Sequence, residues 1–152
     1  MPNWGYSTSL AESEKAAKAS AREVDVSPKW AREVCRRIKG MKISEARELL
    51  ERVVERKELI PYRRYKKKRA HHAQSRGPGG YPVKVARIML KLLDGLEANA
   101  EFKGLELDSL RIVHAAAHKG RRISRYIERA FGRSTPYDKT LTHIELVAVG
   151  EP

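Results

Sequence analysis

The sequence predicts an α+β protein, and three observations carry that reading. Apolar residues recur at helical spacing in three segments between residues 28 and 101. After residue 107 the period falls to two, in two stretches joined by an arginine-rich link. The excess of positive charge, +13 over 152 residues, is concentrated: residues 59–91 hold ten bases and no acid, and residues 119–139 hold seven bases against two acids.

Residues 1–14 read as a tail, with Trp4 and Tyr6 as the side chains able to pin it down. In residues 15–27 the alanines favour helix, while the alternating "REVDV" and the approaching Ser-Pro favour strand; we read a strand. Ser27 is a good N-cap for the first helix, and Pro28 fits the first helical position, where its missing N–H costs no hydrogen bond. Trp30, Val34 and Ile38 make its apolar stripe. Arg36, Arg37 and Lys39 suit the negative end of the helix dipole, and Gly40 closes the helix as a left-handed cap. Cys35 reads as a small buried hydrophobe; as the single cysteine it excludes an internal disulfide and points to a reducing compartment.

The second helix is expected to start at Ser44, with Ala46, Leu49, Leu50, Val53 and Val54 facing inward and "ERVVERKE" forming a solvated face. Residues 59–80, "LIPYRRYKKKRAHHAQSRGPGG", break the pattern and read as a basic, aromatic-bearing loop without regular structure of its own. The third helix runs from Pro82 to Glu101, with Ala86, Met89, Leu90, Leu93, Leu96 and Ala100 on one side. Gly95 costs it about 1 kcal/mol relative to alanine.

Strands from Leu107 to Arg122 and from Ser134 to Val149 would each reach roughly 50 Å at ~3.3 Å per residue. A globule of this length has a radius of gyration of only ~15 Å. The two strands therefore form a long protruding β-hairpin. Leu110, Ile112, Ile144, Leu146 and Ala148 alternate as a half-buried sheet should, whereas the distal part is Arg, Tyr, Ser and Gly. A lone two-stranded ribbon is marginal in water, so another molecule must hold that distal part.

That molecule should be a polyanion. Arginine forks match phosphate, and aromatic rings stack on bases. On the hairpin the candidates are Lys119, Arg121, Arg122, Arg125, Tyr126, Arg129, Gly132 and Arg133, with Phe131 and Tyr137 as further stacking rings. In and beside the loop they are Tyr62, Arg63, Arg64, Tyr65, Lys66, Lys67, Lys68, Arg69 and Arg76, a run that no acid neutralises. Arg36, Arg37, Lys39, Lys42, Lys84 and Arg87 on the helices complete the set. Zinc-finger, basic-zipper and helix-turn-helix signatures are missing, so irregular RNA is a better partner than duplex DNA. The plainer alternatives are a mobile basic loop and a low-specificity basic patch.

Nothing here reads as catalytic. His71 and His72 lie among cations, and His114, His118 and His143 read as cross-strand or RNA-facing residues. Phosphate-binding, dinucleotide and nucleophile-elbow motifs are missing. We expect no metal, no cofactor and no small-molecule substrate. No apolar run approaches the ~18 residues that span a bilayer, and "MPNWGYSTSL" lacks the apolar core of a signal peptide, so a soluble intracellular protein is expected.

Three strings, "SPKWAREVCRRIKGMKISEA", "GGYPVKVARIMLKLLDGLEANAE" and "RISRYIERAFGRSTPYDKTLTHIEL", resemble in order and spacing the large-subunit ribosomal protein L-twenty-two family in its archaeal/eukaryotic-type form, over about residues 15–150. The resemblance implies one domain, residues 1–152: three helices packed on a three-stranded antiparallel sheet, an N-terminal tail 1–14, a basic insert 59–80 and an extended hairpin 107–149. It implies residues 15–26 as the third strand. It also implies a non-enzymatic role in the cytoplasmic ribosome, with large-subunit ribosomal RNA, neighbouring ribosomal proteins and, at the hairpin tip, the nascent polypeptide as partners. On the matching motif, Ile123, Ser124 and Arg125 would form the tunnel-facing tip, and Arg129, Ala130, Gly132 and Arg133 the RNA-packed return side. Glu128 departs from the pattern, since family members often carry a proline or another neutral residue there. The competing readings are a free-standing nucleic-acid-processing enzyme, which would need a carboxylate cluster, and an architectural nucleic-acid-binding protein. The hairpin tip and the 60–80 loop are both expected to order only on RNA.

Overall fold

A computed structural model of the protein describes residues 5–150, so Trp4 lies outside the described residues. The segment that alanines made ambiguous is a strand, β1 (Ala16–Val24). It pairs antiparallel with β8 (Lys139–Gly150), which pairs antiparallel with β5 (Leu110–Ile123), giving the order β1-β8-β5. Three helices, α1 (Pro28–Ile38), α2 (Ile43–Val54) and α3 (Val83–Phe102), supply the other layer. Ala17 and Ala19 of β1 face them, as do Leu110 and Ile112 of β5 and Ile144, Leu146 and Ala148 of β8. The small side chains on β1 let α3 approach closely, and α3 then covers the strand's open edge. Asn99 Nδ2 donates to the Lys18 carbonyl and Lys103 Nζ to that of Ala16, both at 2.8 Å. Those two bonds occupy part of the edge's carbonyl row and so blunt it toward another chain.

Val34 and Ile38, Leu49, Leu50 and Val53, and Met89, Leu93 and Leu96 fill the core from the three helices, with Leu92 buried beside them. Cys35 lies among them, and burial pushes its thiol up to about 12, which leaves it an inert apolar group. The first helix starts where expected and the second does not. Ser27 occupies the N-cap of α1 ahead of Pro28, but its side chain makes no capping bond. The second helix starts at Ile43, not Ser44: the N-cap is Lys42, whose backbone N–H donates to the Glu45 carboxylate at 3.3 Å. Gly40, at φ +89°, turns the chain after α1 and donates its N–H to the Ile112 carbonyl at 2.7 Å.

The outer face of the sheet is covered in part by the N-terminal segment. A short 3-10 turn, Ser9–Glu12, brings Ala11 against Ala16 and Val147, with Tyr6, Val113 and Val149 around them.

Residues 59–80 are not the irregular loop the sequence indicated. They form β2 (Ile60–Pro61), β3 (His71–His72) and β4 (Gly77–Gly80) in a small sheet of order β2-β4-β3. The strands are too short for their period to show in the sequence. Gly79 is required on packing grounds: a Cβ there would lie 2.8 Å from Leu59 Cδ1 and 3.1 Å from both the Ile60 carbonyl and Ser75 Oγ.

Beyond Ile123 the hairpin continues as β6 (Tyr126–Glu128) and β7 (Ser134–Pro136). Ile123 faces Lys139 and Tyr126 faces Pro136, so the register carries through the interruption at residues 124–125. Two bulges, at Ile112/His114 and Lys119/Arg122, bend and twist the ribbon on its way out.

Candidate nucleic-acid interface

Three acids root the arm in the body. Glu23, itself at φ +52°, accepts the Arg121 N–H at 3.2 Å and pairs with His143 Nε2 at 3.1 Å. Asp25 holds Lys84 and Lys139 at 2.9 and 2.8 Å, and those two ammonium groups keep its carboxyl below the usual range. Asp138 pairs with Arg122 and accepts the Arg125 N–H, and its pKa is lowered first by the Arg122 bond. These acids stop at the root. Among the described residues, the guanidinium groups of Arg121, Arg125, Arg129 and Arg133 have no carboxylate partner, although Arg129 Nε does donate to Thr135 Oγ1 at 3.2 Å. Every residue from Arg121 to Ser134 is exposed, and Tyr126 and Tyr137 are 72% and 65% exposed.

The ribbon turns at residues 129–133. Arg129 and Arg133 close the turn, through Arg129 N–H to the Arg133 carbonyl at 2.8 Å, with Phe131 and Gly132 both in the left-handed region at φ +61° and +66°. Ile123, Ser124 and Arg125 lie earlier, on the outgoing arm, where Arg125 faces Tyr137. Residues 129–133 therefore form the turn at the end of the ribbon. Glu128 pairs with Ser134, so the ladder runs up to the turn despite the departure from the family pattern.

The insert is the second patch. Arg63, Arg64, Lys66, Lys67, Lys68, Arg69 and Arg76 are all exposed. Tyr62 is not available for stacking on bases: it is 5% exposed and lies against Trp30, ring centroids 4.4 Å apart. Arg69 covers Trp30 at 4.2 Å, while Tyr65 stays half-buried at the surface. An acid, Glu33 of α1, anchors the backbone of this run rather than its charged side chains. Its carboxylate, buried to 1%, accepts the N–H groups of Arg63 (3.0 Å), Arg64 (3.0 Å) and Tyr65 (3.3 Å). Burial works to raise its pKa, yet those three donors keep it below the ordinary value. The one available signal was an acid at an inward position of an otherwise apolar stripe.

The remaining candidates scatter. Lys84 and Lys119 line one cleft at the arm's root, with Lys29 and Lys139, which the sequence did not single out. Arg37 pairs with Glu58 at 3.5 Å. Arg36, Lys39 and Arg87 are exposed on the helical layer, and Lys42 is half-buried beside them.

One constellation deserves a chemical test. Glu145 Oε1 accepts the Ser7 N–H at 3.1 Å, the Ser7 hydroxyl, His114 Nε2 at 2.9 Å and His118 Nε2 at 3.2 Å. Ser, His and Glu together suggest a hydrolytic triad. A triad needs the base to meet the nucleophile and the acid through opposite ring nitrogens. Here Ser7 Oγ, at 3.1 Å, and Glu145 both meet the same nitrogen of His114, so no proton can be relayed. The cluster is a tie between the N-terminal segment and the sheet. Burial tends to raise the Glu145 pKa, but the donors from Ser7, His114 and His118 bring it down to about 2.

The family model for ribosomal protein L22p/L17e matches residues 19–149. The chain belongs to the ribosomal protein L22p/L17e family. Similar proteins include the large ribosomal subunit protein uL22 of Thermofilum pendens, 55% identical over 148 residues and 97% of each chain. The uL22 of Ignicoccus hospitalis is 52% identical over 97% of each chain, and that of Hyperthermus butylicus 51% over 99% of each. Members of the L22p/L17e family are structural ribosomal proteins, not enzymes, which sets aside the nucleic-acid-processing alternative. Among the described residues no helix is long and apolar enough to cross a membrane.

Proposed function

We infer that this chain is a structural component of the large ribosomal subunit in the cytoplasm, built as one domain whose arm and insert bind ribosomal RNA and aid assembly. The observation that supports it best is the arm: four guanidinium groups without carboxylate partners, among the described residues, on a ribbon that the body does not cover. RNA supplies both the missing counter-charge and the missing surface. The insert adds Arg63, Arg64, Tyr65 and Lys66 to Arg69, and Lys84 and Lys119 extend the contact to the arm's root. The apex, Arg129 to Arg133, lines the polypeptide exit tunnel and meets the nascent chain, with exposed Phe131 at its end. Neighbouring ribosomal proteins meet the remaining surface.

Binding of the full chain to large-subunit ribosomal RNA tests this reading. If about ten phosphates are neutralised, the slope of log affinity against log salt is roughly −7 to −9. Arg129→Ala should reduce its magnitude by about 1 and weaken binding to any sequence similarly. A chain that fails to co-sediment with large subunits through a salt gradient, or a slope near zero, would contradict it.

A further inference from the structure

Trp30 and Tyr65 wall a second cleft, of about 420 Å³, with Lys29, Arg64, Lys66 and Arg69 around it. Its composition differs from that of the cleft at the arm's root, where Asp25 neutralises Lys84 and Lys139. No carboxylate lines this one. Instead, cations converge on a single ring. Lys29 Nζ lies 5.6 Å from the Tyr65 centroid, and the guanidinium carbons of Arg64 and Arg32 lie 5.6 and 5.9 Å from it. Glu33 reaches Arg32 at 3.4 Å, but both its oxygens are already engaged by backbone N–H groups of residues 63–65. Gathered like charges repel unless an anion joins them. The three bonds to Glu33 fix the backbone that carries Tyr65, so the cost of ordering the site is met in the free protein.

A ligand for this cleft needs a flat face for the rings and negative charge for the rim. An acidic peptide lacks the first, and a regular duplex keeps its base faces stacked away. We propose that the cleft takes one unpaired nucleotide of an RNA strand, its base against Tyr65 and its phosphate on Lys29, Arg64 and Lys66. This rests on the RNA-binding reading above and names what the insert recognises within it.

In a Trp4→Phe background Trp30 is the only tryptophan and reports on the cleft directly. The full-length protein is titrated with a single-stranded RNA octamer of mixed sequence and with a blunt RNA duplex. The octamer should quench Trp30 fluorescence and the duplex should not. Tyr65→Ala should weaken octamer binding about 5- to 100-fold and leave duplex affinity within about twofold, while Tyr65→Phe, which keeps a flat face, should bind as the parent does. Lys66 is exposed, so Lys66→Glu should leave the fold intact and weaken the octamer several-fold. Equal quenching by the duplex, or octamer affinity unchanged in Tyr65→Ala, overturns the proposal while RNA binding itself stands. Failure of both RNAs to bind at low salt overturns the RNA-binding reading as well.

Discussion

Glu145 and Glu33 are buried anions that hold loops rather than do chemistry. Glu145 is 2% exposed, and its folded pKa of about 2 lies below the ordinary 4.5. A depressed carboxylate stabilises the fold fully above its unfolded pKa and loses that contribution as pH falls from 4.5 through about 2. Chemical denaturation between pH 6 and pH 2 should therefore show stability falling in that window. In Glu145→Gln the fall should be shallower, at a cost near neutral pH of about 1–3 kcal/mol for the donors left with a weaker acceptor. Gly79 makes a packing prediction. A methyl group at 2.8 Å from Leu59 and 3.1 Å from a backbone carbonyl cannot be accommodated without movement. Gly79→Ala should destabilise by about 1–3 kcal/mol, read from urea unfolding.

At the scale of elements, the arm and the body are separable. Ile123 and Lys139 are directly paired, so residues 124–138 can be replaced by a two-residue Asn-Gly turn of the kind tight hairpins favour. The shortened chain should unfold thermally within a few degrees of the parent, because no residue of the core is lost. Its RNA-binding salt slope should fall in magnitude by about 2 to 3, one step for each of Arg125, Arg129 and Arg133. An unfolded product would mean that the arm carries the fold. Elements with a clear period were legible in the sequence: the stripes of α1 and α3, and the alternation of Leu110, Ile112, Ile144, Leu146 and Ala148, fill the observed core, with Trp30 and Leu90 partly buried at its margin. The insert was not legible, because strands of two to four residues leave no periodic trace and Tyr62 reaches Trp30 only through the tertiary fold. The motif alone does not state which residues pair at the apex. The register through Tyr126–Pro136 does.

Across the whole molecule, positive charge is either answered internally or left open, and the division follows the architecture. In the body, Arg47 meets Asp94 and Glu97 at 2.8 and 2.7 Å, and Arg52 meets Glu58 at 2.8 Å. At the arm's root the acids are Glu23, Asp25 and Asp138, and past them the arginines face solvent. The expectation that insert and arm alike require RNA therefore divides. The insert is tied down by Ile60, Tyr62 and Glu33, whereas the distal arm buries nothing. Amide hydrogen exchange on the free chain, with and without ribosomal RNA, measures this difference directly. Paired amides of β6 and β7 should exchange almost unprotected in the free chain and become protected on RNA, while those of Ile144 and Leu146 stay protected in both. Protection of β6 and β7 in the free chain equal to that of β8 would contradict an arm that depends on RNA for its support.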